Sequence, residues 1–432
     1  MKSPKWSEQK RAKGPSKLGY EGVPKFSLEE RENRWEALRQ KMYCNKLDVL
    51  LLYGTDAGLG RGMTSFRYVT QCADAHGGWA IFPVKGDVTV LMGPEHMHLP
   101  YMPWHAMQSW VTDISNNLSP ARLAEELKNR GYEKARIGVV SCESTQVSGD
   151  PLPYATYTNL KKAMPDAEFV DANGLILEMR MFKSREEIGM LREAGKIAGK
   201  KVQAMIDSLK VGNTEADMFA KMIEADLRGG AEICPFLLLN TGNVLEDDPG
   251  YKYLLHGAMA AASPVTRPFR DGDIALCEFH TRYGGYMAGV EFTCFLGDPP
   301  KPLVTLHETA MEIIGNVEKT LKPGVTCGQI WDVMNEPVAR RNLDYMELGF
   351  HGHGMGSPEI PYGAYNILDD PGMTVVKDWR FRPGQVICLN IDIHDPAWRI
   401  DVGVMFGIML LVTENGCEIL ADIPREFAVN KA

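Results

Sequence analysis

The sequence predicts two domains, an α/β domain in the first part of the chain and an α+β domain in the second. At 432 residues the chain is longer than one ordinary hydrophobic core supports. Strand-like and helix-like segments alternate up to about residue 173. From Met181 a longer helix opens a second pattern, in which helices are expected to cover a curved mixed sheet. We therefore place an N-terminal arm at 1–25, the α/β domain at 26–175 and the α+β domain at 176–432.

The composition is that of a soluble globular protein, with 44% hydrophobic and 24% charged residues. The net charge of −9 argues against nucleic acid as a partner, because phosphate binding needs a basic face. No apolar run reaches transmembrane length, so no membrane partner is expected. The nine cysteines are dispersed without a CxxC pair, which is typical of a reduced, cytoplasmic protein.

The N-terminal arm carries charge rather than a targeting signal. Residues 1–17 contain six Lys or Arg and no apolar segment, so a secretory signal peptide is excluded. We expect a solvated arm. An arm that embraces a partner subunit is the alternative.

A capping box opens the first clear helix. Ser27 can cap the helix and Glu30 completes the S-x-x-E pattern, and the helix is expected to run to about Met42. The other elements of this domain alternate along the chain. Strands are predicted at 49–53, 78–83, 88–92 and 137–141, and helices at 118–130 and 154–163.

The second domain opens with a long helix after Ser184, a good N-cap, and this helix is expected to reach about Leu209. Further helices are predicted at 214–229, 306–320 and 327–342. Strands are predicted at 235–240, 274–280, 287–295 and 386–393, and a final hairpin at 404–412 and 417–420.

Five short motifs follow one another in the second domain: Met181–Ala194, Lys322–Thr326, Gly352–Gly356, Pro383–Val386 and Leu411–Gly416. Together, in this order, they resemble the motifs of the pita-bread family, which includes creatinase, prolidase, aminopeptidase P and methionine aminopeptidase. Residues 26–42 also resemble the N-terminal helix of creatinase. The resemblance covers nearly all of the chain after residue 25, and it implies a pita-bread catalytic domain behind a creatinase-like N-terminal domain.

The resemblance also implies where metal ligands would fall. Metal-dependent members of the family hold a pair of ions with two aspartates, a histidine and two glutamates. The corresponding positions here are Glu278, Gly289, His353, Asn390 and Gly407. Three of the five usual ligands are missing, and a paired site needs their anionic oxygens. The resemblance therefore predicts no resident metal pair.

The departure resembles the metal-free, creatinase-like branch of the family. Glu291 lies two residues past Gly289, where creatinase has a substrate-binding glutamate. Creatinase's catalytic histidine falls at Ser263 here, and its second histidine falls at Ile360. Creatine itself is therefore not the expected substrate, and a different general base is needed.

Strand alternation gathers polar side chains in this region. Glu278 and His280 should share one face of a strand, and Glu291 should face them from the next strand. His353 arrives from the glycine-rich segment 351–356. Another strand should add Asn390, Asp392 and His394. Such a cluster suits general acid–base chemistry, because carboxylates can orient imidazoles and tune them near neutral pH.

We assign proton transfer to His353 or His280, with Glu278 orienting the imidazole or activating a water. Glu291 would hold a cationic part of the substrate. Candidate substrate-binding residues are His256, Asn390, Asp392, His394, Asp74 and His76. A loop shift could make His256 the replacement base. For His394 and His351 an ordinary structural histidine is the favoured interpretation.

In creatinase-like dimers the N-terminal domain of one subunit closes the pocket of the other. The resemblance therefore implies a homodimer, and it places segment 73–78 with Asp74 and His76 near the partner's site.

The predicted function is metal-independent hydrolysis of a C–N bond in a small polar, possibly cationic, molecule. One alternative is a metal-dependent lyase or hydrolase, similar to the dimethylsulfoniopropionate lyases. It would hold one Zn²⁺ or Fe²⁺ by a rearranged ligand set: Glu278, His280, Glu291, His353 and Asp392. The second alternative is a catalytically inactive binding module.

Overall fold

The computed structural model describes residues 22–55, 63–73, 77–93, 108–116, 119–140, 152–234, 236–245, 264–356, 359–362, 377–421 and 423–432. The chain divides into two compact units, Met1–Arg180 and Met181–Ala432. The domain boundary at 175/176 stays a prediction, as does the arm, most of which lies outside the described residues. Within the described residues no helix is both long and apolar enough to span a bilayer.

The first unit is an α/β sheet with helices, as predicted. Its described strands are β1 (Val49–Gly54), β2 (Gly78–Pro83), β3 (Thr89–Met92), β4 (Asp113–Asn116), β5 (Arg136–Val140) and β6 (Glu168–Asp171). Its described helices are α1 (Leu28–Cys44), α2 (Thr64–Thr70), α3 (Pro120–Asn129), α4 (Tyr154–Ala163) and α5 (Asn173–Met181).

The strands of this unit form a mixed sheet in the order β4-β3-β2-β1-β5-β6. β1 pairs antiparallel with β2 and parallel with β5. All six residues of β1 are buried, as expected for a central strand covered on both faces. The predicted cap of α1 is confirmed, because the Ser27 side chain accepts from the Glu30 N–H at 3.0 Å.

The second unit combines helices with two sheets. Its described helices are α6 (Arg185–Ser208), α7 (Glu215–Arg228), α8 (Lys301–Thr320) and α9 (Cys327–Arg340). Its described strands are β7 (Leu237–Asn243), β8 (Asp273–Tyr283), β9 (Tyr286–Leu296), β10 (Asp344–Gly352), β11 (Glu359–Tyr362), β12 (Val386–Asp395), β13 (Arg399–Phe406), β14 (Met409–Val412), β15 (Cys417–Ile419) and β16 (Ala428–Asn430).

One sheet has the order β16-β9-β8-β7, and the other has the order β11-β10-β12-β14-β15 with β13 also paired to β12. The long helix α6 opens with a capping box, in which the Ser184 and Glu187 side chains each bond the other's backbone N–H. The α+β class is as predicted, although the described strands form two sheets and not the single curved mixed sheet that was expected.

One strand prediction was wrong, and one strand that contributes to the site was missed. The segment 404–412 is not one strand, because β13 ends at Phe406 and β14 begins at Met409. Between them the backbone of Gly407 pairs with Glu291 of the other sheet, which interrupts the strand. The strand β10 was not predicted at all, although it supplies residues to the site.

Candidate functional site

The hairpin β8–β9 provides one side of the site. Glu278 stands directly opposite Glu291, and His280 stands opposite Gly289. Because side chains two residues apart point to the same face of a strand, these four positions share one face, as predicted. All of them are buried except Glu278, which is partly exposed.

The strands β10 and β12 provide the other side. Glu347 stands opposite Asp392, and His351 stands opposite Cys388. The two sheets meet where the backbones of Glu291 and Gly407 exchange hydrogen bonds of 3.2 and 3.0 Å.

Acidic side chains from four strands form a group that we call the carboxyl cluster: Glu278, Glu291, Glu347 and Asp392. The Asn390 amide donates to Glu291 Oε1 at 2.6 Å, and Ile391 N–H donates to Glu291 Oε2 at 3.4 Å. Asp392 is completely buried. The cluster therefore places ionisable groups where water has little access.

Burial and neighbouring carboxyls raise the pKa of Glu291 well above its usual value; after burial the largest causes are Asp392, Glu278 and Glu347. Burial also raises the pKa of Asp392 well above its usual value, followed by the charges of Glu347 and Glu278. Burial and the neighbouring carboxyls thus favour the protonated forms of Glu291 and Asp392, because each raises the pKa of these groups.

The second group, which we call the histidine cluster, surrounds Gly289 and contains His280, His351, His353 and Cys388. The ring centre of His353 lies 5.3 Å from that of His280 and 5.6 Å from that of His351. Phe236 stacks on His280 with ring centres 4.2 Å apart. The predicted partners His280 and His353 are thus neighbours.

Two buried histidines, His351 and His353, are held in the neutral form, and His353 is not tuned near neutral pH as expected from the sequence. Burial, followed by the neighbouring His351, lowers the pKa of His353 to about 3. Burial also lowers the pKa of His351, and its hydrogen bond to the Gly352 carbonyl opposes that effect. At neutral pH both rings therefore carry a lone pair that can accept a proton or bind a metal.

A buried ion pair supports the loop that carries His353. Lys183 Nζ lies 3.0 Å from Glu359 Oε2, and both side chains are almost fully buried. The other oxygen of Glu359 accepts from the Gly356 N–H at 2.8 Å. This ion pair holds the glycine-rich turn after β10 in place, and the turn in turn orients the imidazole of His353.

The residues at the positions of the family's paired ions do not fit them. A Cβ atom placed on Gly289 would lie 2.9 Å from His353 Cε1 and 3.1 Å from Cys388 Sγ. A Cβ atom on Gly407 would lie 2.6 Å from the Leu389 carbonyl oxygen. It would also lie 2.9 Å from Glu291 Oε2. The space of the two missing acidic ligands is thus filled by other groups.

The structure brings together Glu278, His280, Glu291, His353, Asn390 and Asp392 from the predicted site. His394 lies two residues past Asp392 on β12, between Asp344 and Gly403 on the neighbouring strands. The predicted contributors His256, Asp74 and His76 lie outside the described residues.

Sequence reasoning missed Glu347 and Cys388 as site residues. Glu347 was missed together with β10, although buried Leu348 and Phe350 alternate there with polar positions and could have revealed the strand. Cys388 lies two residues before Asn390 and so shares its strand face, a signal that was present in the sequence.

Two segments of the chain match the models of known protein families. Residues 189–414 match the model of metallopeptidase family M24, and residues 34–182 match the creatinase/prolidase N-terminal domain. The chain belongs to family M24. The expected relationship to the pita-bread family is therefore confirmed, and so is the pairing of its two kinds of domain.

Among M24 relatives, the ectoine hydrolase of Halomonas elongata is 24% identical over 94% of this chain and 98% of its own length. A Xaa-Pro dipeptidase of Pyrococcus horikoshii is 26% identical over 64% of this chain and 72% of its own length. The creatinase of a Bacillus species is 23% identical over 69% of each chain.

Solved structures of the M24 family share the fold. The prolidase of Pyrococcus horikoshii superposes with a TM-score of 0.71 at 21% identity, covering 91% of this chain and 99% of the prolidase. The Xaa-Pro dipeptidase of Bacillus anthracis gives a TM-score of 0.69 at 20% identity, with coverage of 92% and 99%.

Proposed function

We propose that this M24 protein hydrolyses a non-peptide C–N bond in a small, polar, cationic molecule, using side-chain acid–base chemistry instead of paired metal ions. The carboxyl cluster carries the proposal. Two acidic pairs, Glu278 with Glu291 and Glu347 with Asp392, stand directly opposite each other on paired strands. Like charges in this arrangement are unfavourable, and burial increases the cost. Without substrate this cost keeps protons on Glu291 and Asp392. A cationic substrate would offset the cost by pairing with the ionised carboxylates.

The relatives support the same class of reaction. The match to the ectoine hydrolase spans both domains, with 94% of this chain aligned. The creatinase match covers 69% of this chain. Both names describe hydrolases of small molecules that are not peptides, whereas the match to the Xaa-Pro dipeptidase covers 64% of this chain. We therefore place the protein in the creatinase-like branch.

In the proposed reaction, Glu291 binds the cationic group of the substrate through charge-assisted hydrogen bonds. His280 or, less favourably because its pKa is about 3, His353 accepts a proton from water as the water oxygen bonds to the carbon of the C–N bond. The C–N bond then breaks, and the imidazolium returns that proton to the leaving nitrogen. Glu278 shares a strand face with His280 and orients the imidazole or the water.

The test uses metal-free, full-length protein with ectoine, creatine and a Xaa-Pro dipeptide as separate substrates. We expect turnover of a non-peptide compound that a chelator does not abolish. Glu291→Gln should lower kcat/KM by about 30-fold or more, because it removes the buried carboxylate that would pair with the cationic group of the substrate. Glu308→Gln, at an exposed position on α8, is the control and should not change it.

Other outcomes would reject the proposal. Activity that disappears on chelation and returns with added metal would favour a metal-dependent lyase or hydrolase. Binding without turnover of any compound would favour an inactive binding module. Full activity in both Glu291→Gln and His353→Ala would remove these residues from the mechanism.

We also propose that the enzyme is a homodimer, on the basis of its resemblance to creatinase-like proteins. Sedimentation equilibrium should then give twice the 48.1 kDa mass of one chain. A monomer at all concentrations would leave Asp74 and His76 without the proposed role across an interface.

A further inference from the structure

The histidine cluster contains three potential metal ligands that do not form the family's ligand set. One ligand atom each from His351, His353 and Cys388 lies within 4.8 Å of the other two, and all three residues are buried. Only His353 occupies a family ligand position. His351 and Cys388 have no part in the proposed hydrolysis.

The hydrogen bonding of His351 prepares it for coordination. Its Nδ1 lies 2.9 Å from the Gly352 carbonyl oxygen. Because a carbonyl oxygen only accepts, Nδ1 must carry the proton, and Nε2 keeps a lone pair. Histidines that ligate metals are usually oriented in this way, by donating the other ring N–H to a carbonyl or carboxylate.

His353 and Cys388 border the space that the missing side chain of residue 289 leaves. His353 Nε2 lies 3.3 Å and Cys388 Sγ lies 3.1 Å from the position of a Cβ atom on Gly289. Neither ring nitrogen of His353 makes a regular hydrogen bond within the described residues, and the side chain is completely buried. The Cys388 thiol donates a long hydrogen bond of 3.6 Å to the Gly289 carbonyl.

We propose that His351, His353 and Cys388 form a site for one soft divalent transition metal ion, with Zn²⁺ as the natural occupant. Imidazole and thiolate together suit zinc better than magnesium or calcium. Three protein ligands leave a fourth position for water or another small ligand. On binding, the Cys388 S–H bond breaks, the proton leaves to solvent and a metal–sulfur bond forms, without any change of oxidation state.

This site goes beyond the proposed hydrolysis, and it has a separate consequence. An ion bound here would hold His353 as a ligand and remove it from proton transfer. A soft metal ion at this site would therefore inhibit the proposed reaction, which itself needs no metal.

Cobalt titration tests the site without any substrate. Metal-free, full-length protein is titrated with Co²⁺ while its absorption spectrum is recorded. We expect a thiolate-to-cobalt charge-transfer band that saturates at one equivalent, together with the visible bands of a tetrahedral ion. Zn²⁺ should displace the cobalt and remove both.

Two variants identify the ligands. Cys388→Ser should abolish the charge-transfer band. Cys294→Ser is the matched control, because Cys294 is equally buried in β9 but points to the opposite strand face from Glu291, and it should leave the band unchanged. Gly289→Ala places a methyl group against His353 and Cys388 and should weaken cobalt binding by about 10-fold or more.

The result that would overturn the proposal is a protein that gives no charge-transfer band at stoichiometric Co²⁺. A band that persists in Cys388→Ser would overturn it equally. If Cys388→Ser does not fold, the proposal would be contradicted by a folded Gly289→Ala variant that binds cobalt as tightly as the wild type. None of these results depends on turnover, so failure here is distinguishable from failure of the proposed hydrolysis.

Discussion

Glu291 occupies the position on which the rest of the site depends. Its carboxyl accepts from Asn390, its backbone pairs with Gly407, and its side chain fills the space above that glycine. The loss of a side chain at 407 is thus matched by the presence of an acid at 291. The two positions act together, since a Cβ atom on Gly407 would lie 2.9 Å from Glu291 Oε2.

At the residue scale, the carboxyl cluster should make the folded protein less stable as the pH rises. The pKa of Asp392 is raised in the folded state, so the folded protein binds more protons than the unfolded chain above pH of about 4. The free energy of unfolding therefore falls as the pH rises through the window between the unfolded and the folded pKa. Each such group contributes about 1.4 kcal/mol per pH unit within that window.

Asp392→Asn removes one of these groups. We expect its Tm to fall less than that of the wild type between pH 5 and pH 8, as measured by differential scanning calorimetry. Asp332→Asn, at an exposed position on α9, is the control and should follow the wild type. Parallel pH curves for Asp392→Asn and the wild type would show that Asp392 is ionised in the native protein.

At the element scale, a buried ion pair between the helices α6 and α7 holds the strand β8. Lys201 on α6 lies 2.6 Å from Asp226 on α7, and both side chains are buried. Thr281 donates to the other oxygen of Asp226 at 2.7 Å, and Lys201 reaches the His280 carbonyl at 3.4 Å. Two helices are thereby tied to the strand segment that carries His280.

Breaking this pair should be costly, whereas replacing both partners should not. Lys201→Met should lower the free energy of unfolding by about 3–5 kcal/mol, because it leaves Asp226 buried without a counter-charge. The double variant Lys201→Met/Asp226→Leu should recover most of that loss. Denaturant unfolding measures both, and a double variant no more stable than Lys201→Met would contradict the explanation.

At the scale of the whole second unit, the two sheets are joined where the backbone of Gly407 pairs with that of Glu291. The close approach of this backbone to the Leu389 carbonyl leaves no room for a side chain. The interruption between β13 and β14 helps to join the sheets, because it turns the Gly407 backbone towards β9. The absence of the family's second glutamate is therefore a feature of how the sheets pack.

Gly407→Ala should consequently lower the free energy of unfolding by about 1–3 kcal/mol, since a backbone carbonyl cannot move aside as a flexible side chain can. Gly416→Ala is the matched control, because no atom lies within 4 Å of its Cβ position. The Tm values of the two variants, measured by thermal unfolding, give the comparison. Equal Tm values for the two variants would mean that the sheets can separate at little cost.

Much of the site could be predicted because strands have a period of two. The shared face of Glu278, His280 and Glu291 follows from that period and from one short hairpin. Periodicity could not indicate that β10 pairs with β12, because the two strands are separated by more than thirty residues of chain. Glu347 and Cys388 gained their roles only through that pairing.

The sequence alone determined the family, the two kinds of domain and the missing ligands, because these depend on local motifs, local periodicity and the presence or absence of side chains. Only the tertiary structure decided what fills the space of those ligands. Glu291 lies over Gly407, and His353 and Cys388 meet at Gly289. Such contacts join residues on separate strands, so they are fixed by how the two sheets pack and not by the order of residues along either one.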